Sequence, residues 1–254
     1  MVAVAFAVSV GRTAAGILAV AAAVLVGQLS VGWSNDYFDR DYDRRGNRLD
    51  KPIVTGAVSA TVVQKAAVIA VVLCLPLSLL SGWRAAVVHL VAVAAAWGYN
   101  AGIKRTVLSV LPYLLAFGAL PAFVTLGLDG HPWPQWWATL AAALLGAGAH
   151  FVNTVADTEV DAQTGVRGLP QMIGPVASVI VGSLLMAAAF VLVALAATNP
   201  GALTPVLVVL ALLGTVAVAI MATTGHARSA WFITLITALV GAGALIAQGS
   251  TAVA

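Results

Sequence analysis

The sequence predicts an all-α membrane protein of about nine transmembrane helices in one bundle, built from two four-helix repeats. Composition points there first: 61% of the 254 residues are hydrophobic and 8% charged, with mean hydropathy +1.03. Soluble domains of this length do not have that balance. The apolar runs last about twenty residues, the length of a bilayer-crossing helix, and are rich in Ala, Leu and Val. They lack the period-2 alternation of a membrane β-barrel. The length suits a single domain over 1–254, and a net charge of +3 gives no case for nucleic-acid binding.

The predicted spans are 1–11, 13–34, 58–81, 85–101, 107–128, 135–154, 173–197, 202–222 and 229–250. The first falls short of the roughly 20 residues that a crossing needs, so it reads as a partial or tilted helix. It has no positive n-region and is not read as a signal peptide. The lone cysteine, Cys74, sits mid-span and reads as a small buried hydrophobe, without a disulfide framework.

Charge placement orients the spans. Arg40, Arg44, Arg45, Arg48 and Lys51 follow span 2, Lys104 and Arg105 follow span 4, Arg167 follows span 6, and Arg228 follows span 8. These connections share one side, and positive-inside asymmetry makes it the cytoplasm. Residues 129–137, with Asp129, His131 and three tryptophans, read as an outer-interface turn. The expected location is a bacterial plasma membrane, with the acidic loops inside the cell.

Four of the nine acidic residues, Asp36, Asp39, Asp41 and Asp43, fall within eight positions at the end of span 2. Asn35, Asp39 and Asp43 are spaced i, i+4, i+8, and Asp36 lies three before Asp39. On a helix these four share a face, with neighbours about 5–6 Å apart. Bare carboxylates so close repel one another and are poorly solvated at a membrane boundary. A hard divalent cation resolves this, and Mg²⁺ held by a few carboxylates shares its remaining positions with substrate phosphates. The stretch therefore reads as a Mg²⁺–diphosphate site at a membrane surface.

A shift of 118 positions superposes a second cluster on the first. Asn35 falls on Asn153, Asp39 on Asp157, Asp41 on Glu159 and Asp43 on Asp161; Pro52, Gly56 and Val58 then fall on Pro170, Gly174 and Val176. This predicts a duplicated four-helix unit, with halves of about 13–128 and 131–250, and two acidic faces meeting at the cytoplasmic end.

The motif Asn35-Asp36-x-x-Asp39-x-x-x-Asp43, with Asp157-x-Glu159-x-Asp161 followed by Gly165, Arg167 and Leu169, resembles the UbiA superfamily of intramembrane prenyltransferases. So do the basic loop from Asp43 to Lys51-Pro52 and Tyr99-Asn100-x-x-x-Lys104-Arg105 after span 4. The resemblance covers nearly the whole chain. It implies a helical bundle with a lipid-open cavity, where Mg²⁺ and both aspartate motifs hold an isoprenoid diphosphate whose tail passes to a lipophilic or aromatic acceptor. The chain departs from the family in two places. Arg12 is the only basic residue near helix 1, and Gly168 stands where the family often has Ser or Thr.

Such chemistry ionises a C1–O bond, so the leaving group's developing charge needs stabilising. Asn35, Asp36, Asp39 and Asp43 are assigned to one Mg²⁺, and Asp157 and Asp161 to another; Glu159 faces away from that pair. Lys104, Arg45 and Arg167 are candidates to touch diphosphate oxygens, with Asn100 and Asn153 as further substrate-binding positions. Tyr99 is placed to flank an allylic cation, and an aspartate not committed to metal would accept the acceptor's proton. The Gly/Ala-rich run 141–149 is expected to shape a groove for the tail. His89, His131 and His150 read as structural, and His226 as a possible acceptor contact.

The expected function is transfer of a prenyl or polyprenyl group to an aromatic or quinone-precursor acceptor. The same site would suit a lipid or tetrapyrrole acceptor, phosphoribosyl transfer to a polyprenyl phosphate, or terpene cyclisation. A cation-coupled transporter is the competing class, opposed by acids gathered at one face rather than at mid-membrane.

Overall fold

The computed structural model describes residues 2–155, 167–196 and 202–254. Among them the chain is helical: α1 Val2–Ser9, α2 Ala14–Arg45, α3 Pro52–Thr55, α4 Ala60–Leu79, α5 Trp83–Ala101, α6 Leu111–Thr125, α7 Trp136–Asn153, α8 Leu169–Ile173, α9 Pro175–Ala196, α10 Leu203–Thr223 and α11 Ala227–Ile246. Four whole helices, α2, α4, α9 and α10, and the segment Ser229–Ile246 of α11 are long and apolar enough to cross a membrane; Leu111–Thr125 is a shorter apolar helix. Large apolar side chains such as Leu18, Leu195 and Leu213 are exposed. That outer surface suits lipid as its solvent.

Local chemistry sets the helix ends. Thr13 caps α2 by accepting the Gly16 N–H at 3.1 Å, and Ser59 caps α4 by accepting that of Val62 at 3.3 Å. Helix α2 does not stop at the predicted span limit of 34. It runs for 32 residues to Arg45, so the acidic stretch is the last part of the same helix. Helix α5 ends at Gly102, whose φ of 154° turns the chain into a 3₁₀ turn over Ile103–Arg105. Helix α6 is shorter than the span 107–128, because the chain turns first and Pro112 then opens the helix.

In space each helix packs on its successors. Helix α2 lies against α4 and α5, α5 against α6, α6 against α7, α7 against α9, and α9, α10 and α11 follow in turn. Helix α1 closes the bundle by touching α2, α6 and α11, with Phe6 and Ala7 fully buried. At the end of the bundle opposite the acids of α2, buried Arg12 donates to the Val124 carbonyl (3.3 Å) and to Ser81 Oγ (3.4 Å), tying the α1–α2 and α4–α5 connections to α6. In the turn after α6, His131 adopts φ 54° and its Nδ1 lies 2.9 Å from the Leu126 carbonyl, while Gln135 N–H meets the Ala252 carbonyl at 2.8 Å. The C-terminal residues are thereby tied to this turn.

Helices in lipid gain little from hydrophobic burial against each other and rely on close packing. Helices α7 and α9 achieve it through glycine. A Cβ on Gly148 would come 2.7 Å from the Gly182 carbonyl, and one on Gly182 would come 2.9 Å from the Gly148 carbonyl. Gly182→Val should force these helices apart and cost about 1–3 kcal/mol, read as a lower Tm in detergent. An unchanged Tm would mean that α7 and α9 do not approach this closely.

Candidate functional site

The last turns of α2 carry Asn35, Asp36, Asp39 and Asp43, and both Asp39 and Asp43 are buried, at 9% and 5% exposure. Asn35 Nδ2 donates to Asp39 Oδ2 at 2.8 Å, the bond expected of an i, i+4 pair. It also lies 3.4 Å from Asn100 Oδ1 at the end of α5. Asn100 in turn donates to the Val31 carbonyl (2.9 Å) and to Ser34 Oγ (2.8 Å). Lys104, brought round by the 3₁₀ turn, forms a buried ion pair with the other oxygen of Asp39. A second lysine, Lys51, reaches back to Asp36 Oδ1 at 2.5 Å.

The structure thus brings together Asn35, Asp36, Asp39, Asp43, Asn100 and Lys104, and adds Lys51. Among the described residues no three His, Cys, Asp or Glu side chains converge as a metal cluster. Lysines meet two of the carboxylates instead, which satisfies their charge. The donors themselves are all oxygens, the set that hard divalent cations take. Asn153 ends α7, and its Oδ1 is buried with no hydrogen-bond partner among the described residues, an acceptor of the same kind. Asp157, Glu159 and Asp161 lie outside the described residues.

The other candidates sit at the margins. Arg45 is exposed, with Nε on the Asp41 carbonyl of its own helix at 3.2 Å. Arg167 is exposed just before α8. Farther along the loop Arg48 holds Asp50 with two hydrogen bonds of 3.1 and 3.2 Å, which keep that carboxyl below its ordinary pKa. Tyr99 packs edge-on against Tyr113 (5.2 Å between centroids) and against His150 (5.7 Å). His226 is exposed, 3.2 Å from Thr224 Oγ1 through its Nδ1.

An apolar cavity of about 370 Å³ begins at Asn153 and runs between α6, α7, α9 and α11; Tyr113, Phe117, Leu145, Phe190 and Leu245 line it. From the run 141–149, Ala141, Ala142, Leu145 and Ala149 form part of its wall. Gly146 leaves room for the Phe117 ring, which a Cβ there would strike.

Three features escaped the sequence reading. Lys51 was visible only as one cation in a basic loop. Tyr113 lay within an apolar span and showed no motif. Ser109, fully buried, accepts the Leu169 N–H at 3.0 Å and lies 3.3 Å from His150 Nε2, so it joins α6, α7 and the start of α8. Gly168 also has a physical reason: a Cβ there would come 2.6 Å from the Lys104 carbonyl. The segment carrying Arg167 therefore rests directly on the turn carrying Lys104.

The chain belongs to the UbiA prenyltransferase family, whose sequence profile matches residues 1–236. It is 31% identical over 189 residues to the bacteriochlorophyll synthase 33 kDa chain of Cereibacter sphaeroides, covering 67% of this chain and 59% of that one. It is 34% identical over 165 residues to the digeranylgeranylglyceryl phosphate synthase of Natronomonas pharaonis, covering 63% and 56% respectively. The matches thus span less than two thirds of these relatives' length. Among solved structures, a UbiA homologue from Aeropyrum pernix superposes with a TM-score of 0.81 at 22% identity, over 96% of both chains. One from Archaeoglobus fulgidus, bound to GPP and Mg²⁺, gives 0.66 at 19% identity over 96% of this chain and 94% of that one. These likenesses give the fold.

Removing Lys104 would leave Asp39 as a buried, unpaired charge. Lys104→Met should therefore destabilise the folded chain by about 3–5 kcal/mol, and adding Asp39→Asn should recover much of that. Thermal unfolding in detergent of the two single variants and the double variant measures the coupling. Additive losses would show that the pair does not interact.

Proposed function

We propose that the chain is a Mg²⁺-dependent transferase that moves a prenyl or polyprenyl group from an isoprenoid diphosphate to an aromatic or quinone-precursor acceptor within the membrane. One observation carries the reading: the oxygen donors and lysines at the end of α2 and α5 stand at one end of a bundle whose interior holds a 370 Å³ apolar cavity ending at Asn153. A charged head and a long apolar tail are what such a site would sort.

Asn35, Asp36, Asp39 and Asp43 would hold one Mg²⁺, and Asp157 and Asp161 a second. Bound there, the metal supplies Lewis-acid stabilisation of the leaving diphosphate. Lys104 and Lys51 lie close enough to their carboxylates to donate to phosphate oxygens as well, and Arg45 and Arg167 reach the same head group from the rim. Asn100 and Asn153 orient the substrate, Asn100 through its bonds to α2. Tyr113 lines the cavity and Tyr99 packs edge-on against Tyr113, and these rings are assigned to stabilising positive charge developing at C1. An aspartate not committed to metal accepts the proton that the acceptor releases.

We further read nine spans, with the acidic loops cytoplasmic, and two four-helix repeats. Helices α3 and α8 support the repeat. Each follows an acidic segment, has a proline in its first turn (Pro52, Pro170), and ends at a glycine of positive φ, 76° at Gly56 and 86° at Gly174. The names of the two relatives favour a second reading, in which the acceptor is a tetrapyrrole or a glycerol-phosphate lipid.

Purified protein should release diphosphate from a prenyl diphosphate when given Mg²⁺ and a suitable acceptor, and should stop when EDTA removes the metal. Asp39→Ala and Asp157→Ala should each lower kcat/KM by about a hundredfold or more. Asp36→Ala should act at least as strongly as Asp161→Ala, because Thr154 stands opposite Asp36 in the repeat. Turnover that survives all of these changes would sink the assignment.

A further inference from the structure

Between α2, α5 and α6 lies a second cavity, of about 80 Å³, which the diphosphate chemistry does not use. Small side chains form much of its wall: Ala92 and Ala96 on α5, Ala116 and Ala119 on α6. Two polar side chains line it, Gln28 and His89.

His89 is more than nine-tenths buried, and its ring stacks on Phe123 with centroids 4.3 Å apart and planes 17° apart. Nδ1 lies 2.8 Å from Ser78 Oγ. The Ser78 hydroxyl already donates to the Cys74 carbonyl at 2.6 Å, so its oxygen must accept from His89 Nδ1–H. The tautomer follows: the neutral ring carries its lone pair on Nε2. Nε2 has no hydrogen-bond partner among the described residues. Gly27 packs beside it, where a Cβ would lie 3.4 Å away. The histidine is thus held through Nδ1, and it forms part of the wall of a cavity that otherwise presents little but carbon.

The cavity adjoins both parts of the site. Gln28 also lines the open recess formed with Asn35, Asp36 and Lys51, and Leu120 also lines the 370 Å³ apolar cavity. On α5, His89 precedes Asn100 by eleven positions, roughly 16 Å along the axis. His89 is therefore remote from the diphosphate and does not serve as its proton acceptor. An apolar cavity of about 150 Å³ takes a benzene ring, so this smaller one admits a substituent and not a whole ring system.

We propose that this slot selects the acceptor: His89 Nε2 accepts a hydrogen bond from a hydroxyl that the acceptor carries at the end away from its nucleophilic atom. The proposal rests on the transferase reading and narrows its acceptor class to molecules with such a distal donor. An acceptor lacking it would leave Nε2 desolvated and unpaired, which is how buried polar groups reject close analogues.

The test compares biphenyl-4,4′-diol with its monomethyl ether, which keeps one hydroxyl and blocks the other. Their affinities for the full chain in lipid nanodiscs are measured by calorimetry, with no prenyl diphosphate present. Because either end of the diol can enter the slot and only one end of the ether can serve, a second pair, the monomethyl and dimethyl ethers, controls for the loss of a donor altogether. The wild type should bind the diol or the monomethyl ether about tenfold more tightly than the dimethyl ether. His89→Phe, which keeps the stack on Phe123, should abolish that preference while the affinity for geranyl diphosphate with Mg²⁺ stays unchanged. Ser78→Ala frees the tautomer and should shrink the preference to a few-fold; it decides the matter if His89→Phe fails to fold. Equal binding of the hydroxylated and dimethylated probes, no binding of either, or a preference that persists in both variants overturns the proposal. Failure of the wild type to bind geranyl diphosphate would instead sink the transferase reading and leave the probe preference to be read.

Discussion

The pairing of Asp39 with Lys104 and Asn35 is the constraint on which the rest of this end of the bundle depends. A carboxylate that is 9% exposed at the edge of an apolar span is costly unless its charge and lone pairs are met. One oxygen takes Asn35 from the preceding turn, and the other takes Lys104 from a different helix. Meeting that requirement fixes where α5 must stop. Gly102, at φ 154°, lets the chain turn at once so that Lys104 points back to α2. Asn100 secures the same junction from inside the helix by bonding Val31 and Ser34. The second half of the chain is then built onto this turn, with Gly168 against the Lys104 carbonyl and Ser109 joining α6, α7 and α8.

Two cavities divide the interior, and Leu120 on α6 belongs to the walls of both. The larger is almost wholly apolar and ends at Asn153. The smaller carries Gln28 and His89, and Gln28 also lines the recess of Asn35 and Asp36. The division is chemical as well as spatial. An unfunctionalised hydrocarbon tail gains nothing from the histidine, and a hydroxyl would lose its hydrogen bonds among Phe117, Phe190 and Leu245. Two substrates of different polarity would therefore sort to opposite sides of α6.

The fold class and the first acidic face were legible in the sequence because each rests on a local period. Twenty-residue apolar runs give spans, and i, i+4, i+8 spacing gives a face whether or not the helix's neighbours are known. Helix ends were less legible. That α2 continues to Arg45 goes with the burial of Asp39 and Asp43, and the lysine that pairs with Asp39 comes from 65 positions away. Lys51, Ser109 and Tyr113 were missed for the same reason: nothing in their own sequence neighbourhoods marks them, and their roles come from contacts between helices. Gly168 is the sharpest case. As a family comparison it looked like the loss of a hydroxyl, whereas the geometry shows a backbone approach in which a Cβ would lie 2.6 Å from the Lys104 carbonyl.

Small residues join the packing of this bundle to its chemistry. In a membrane, close approach of helices replaces hydrophobic burial as the source of cohesion, and glycine and alanine permit it. The face of α7 that lets α9 approach through Gly148 also sets Gly146 beneath Phe117 and Ala141, Ala142 and Ala149 around the larger apolar cavity. The alanines of α5 and α6 do the same for the smaller slot. Enlarging one of these side chains therefore has two effects at once. It separates helices that cohere only by contact, and it fills space that a substrate would occupy. Stability and substrate capacity are thus set by the same residues, and a substitution that widens a cavity has to be compensated by packing elsewhere on the same helix.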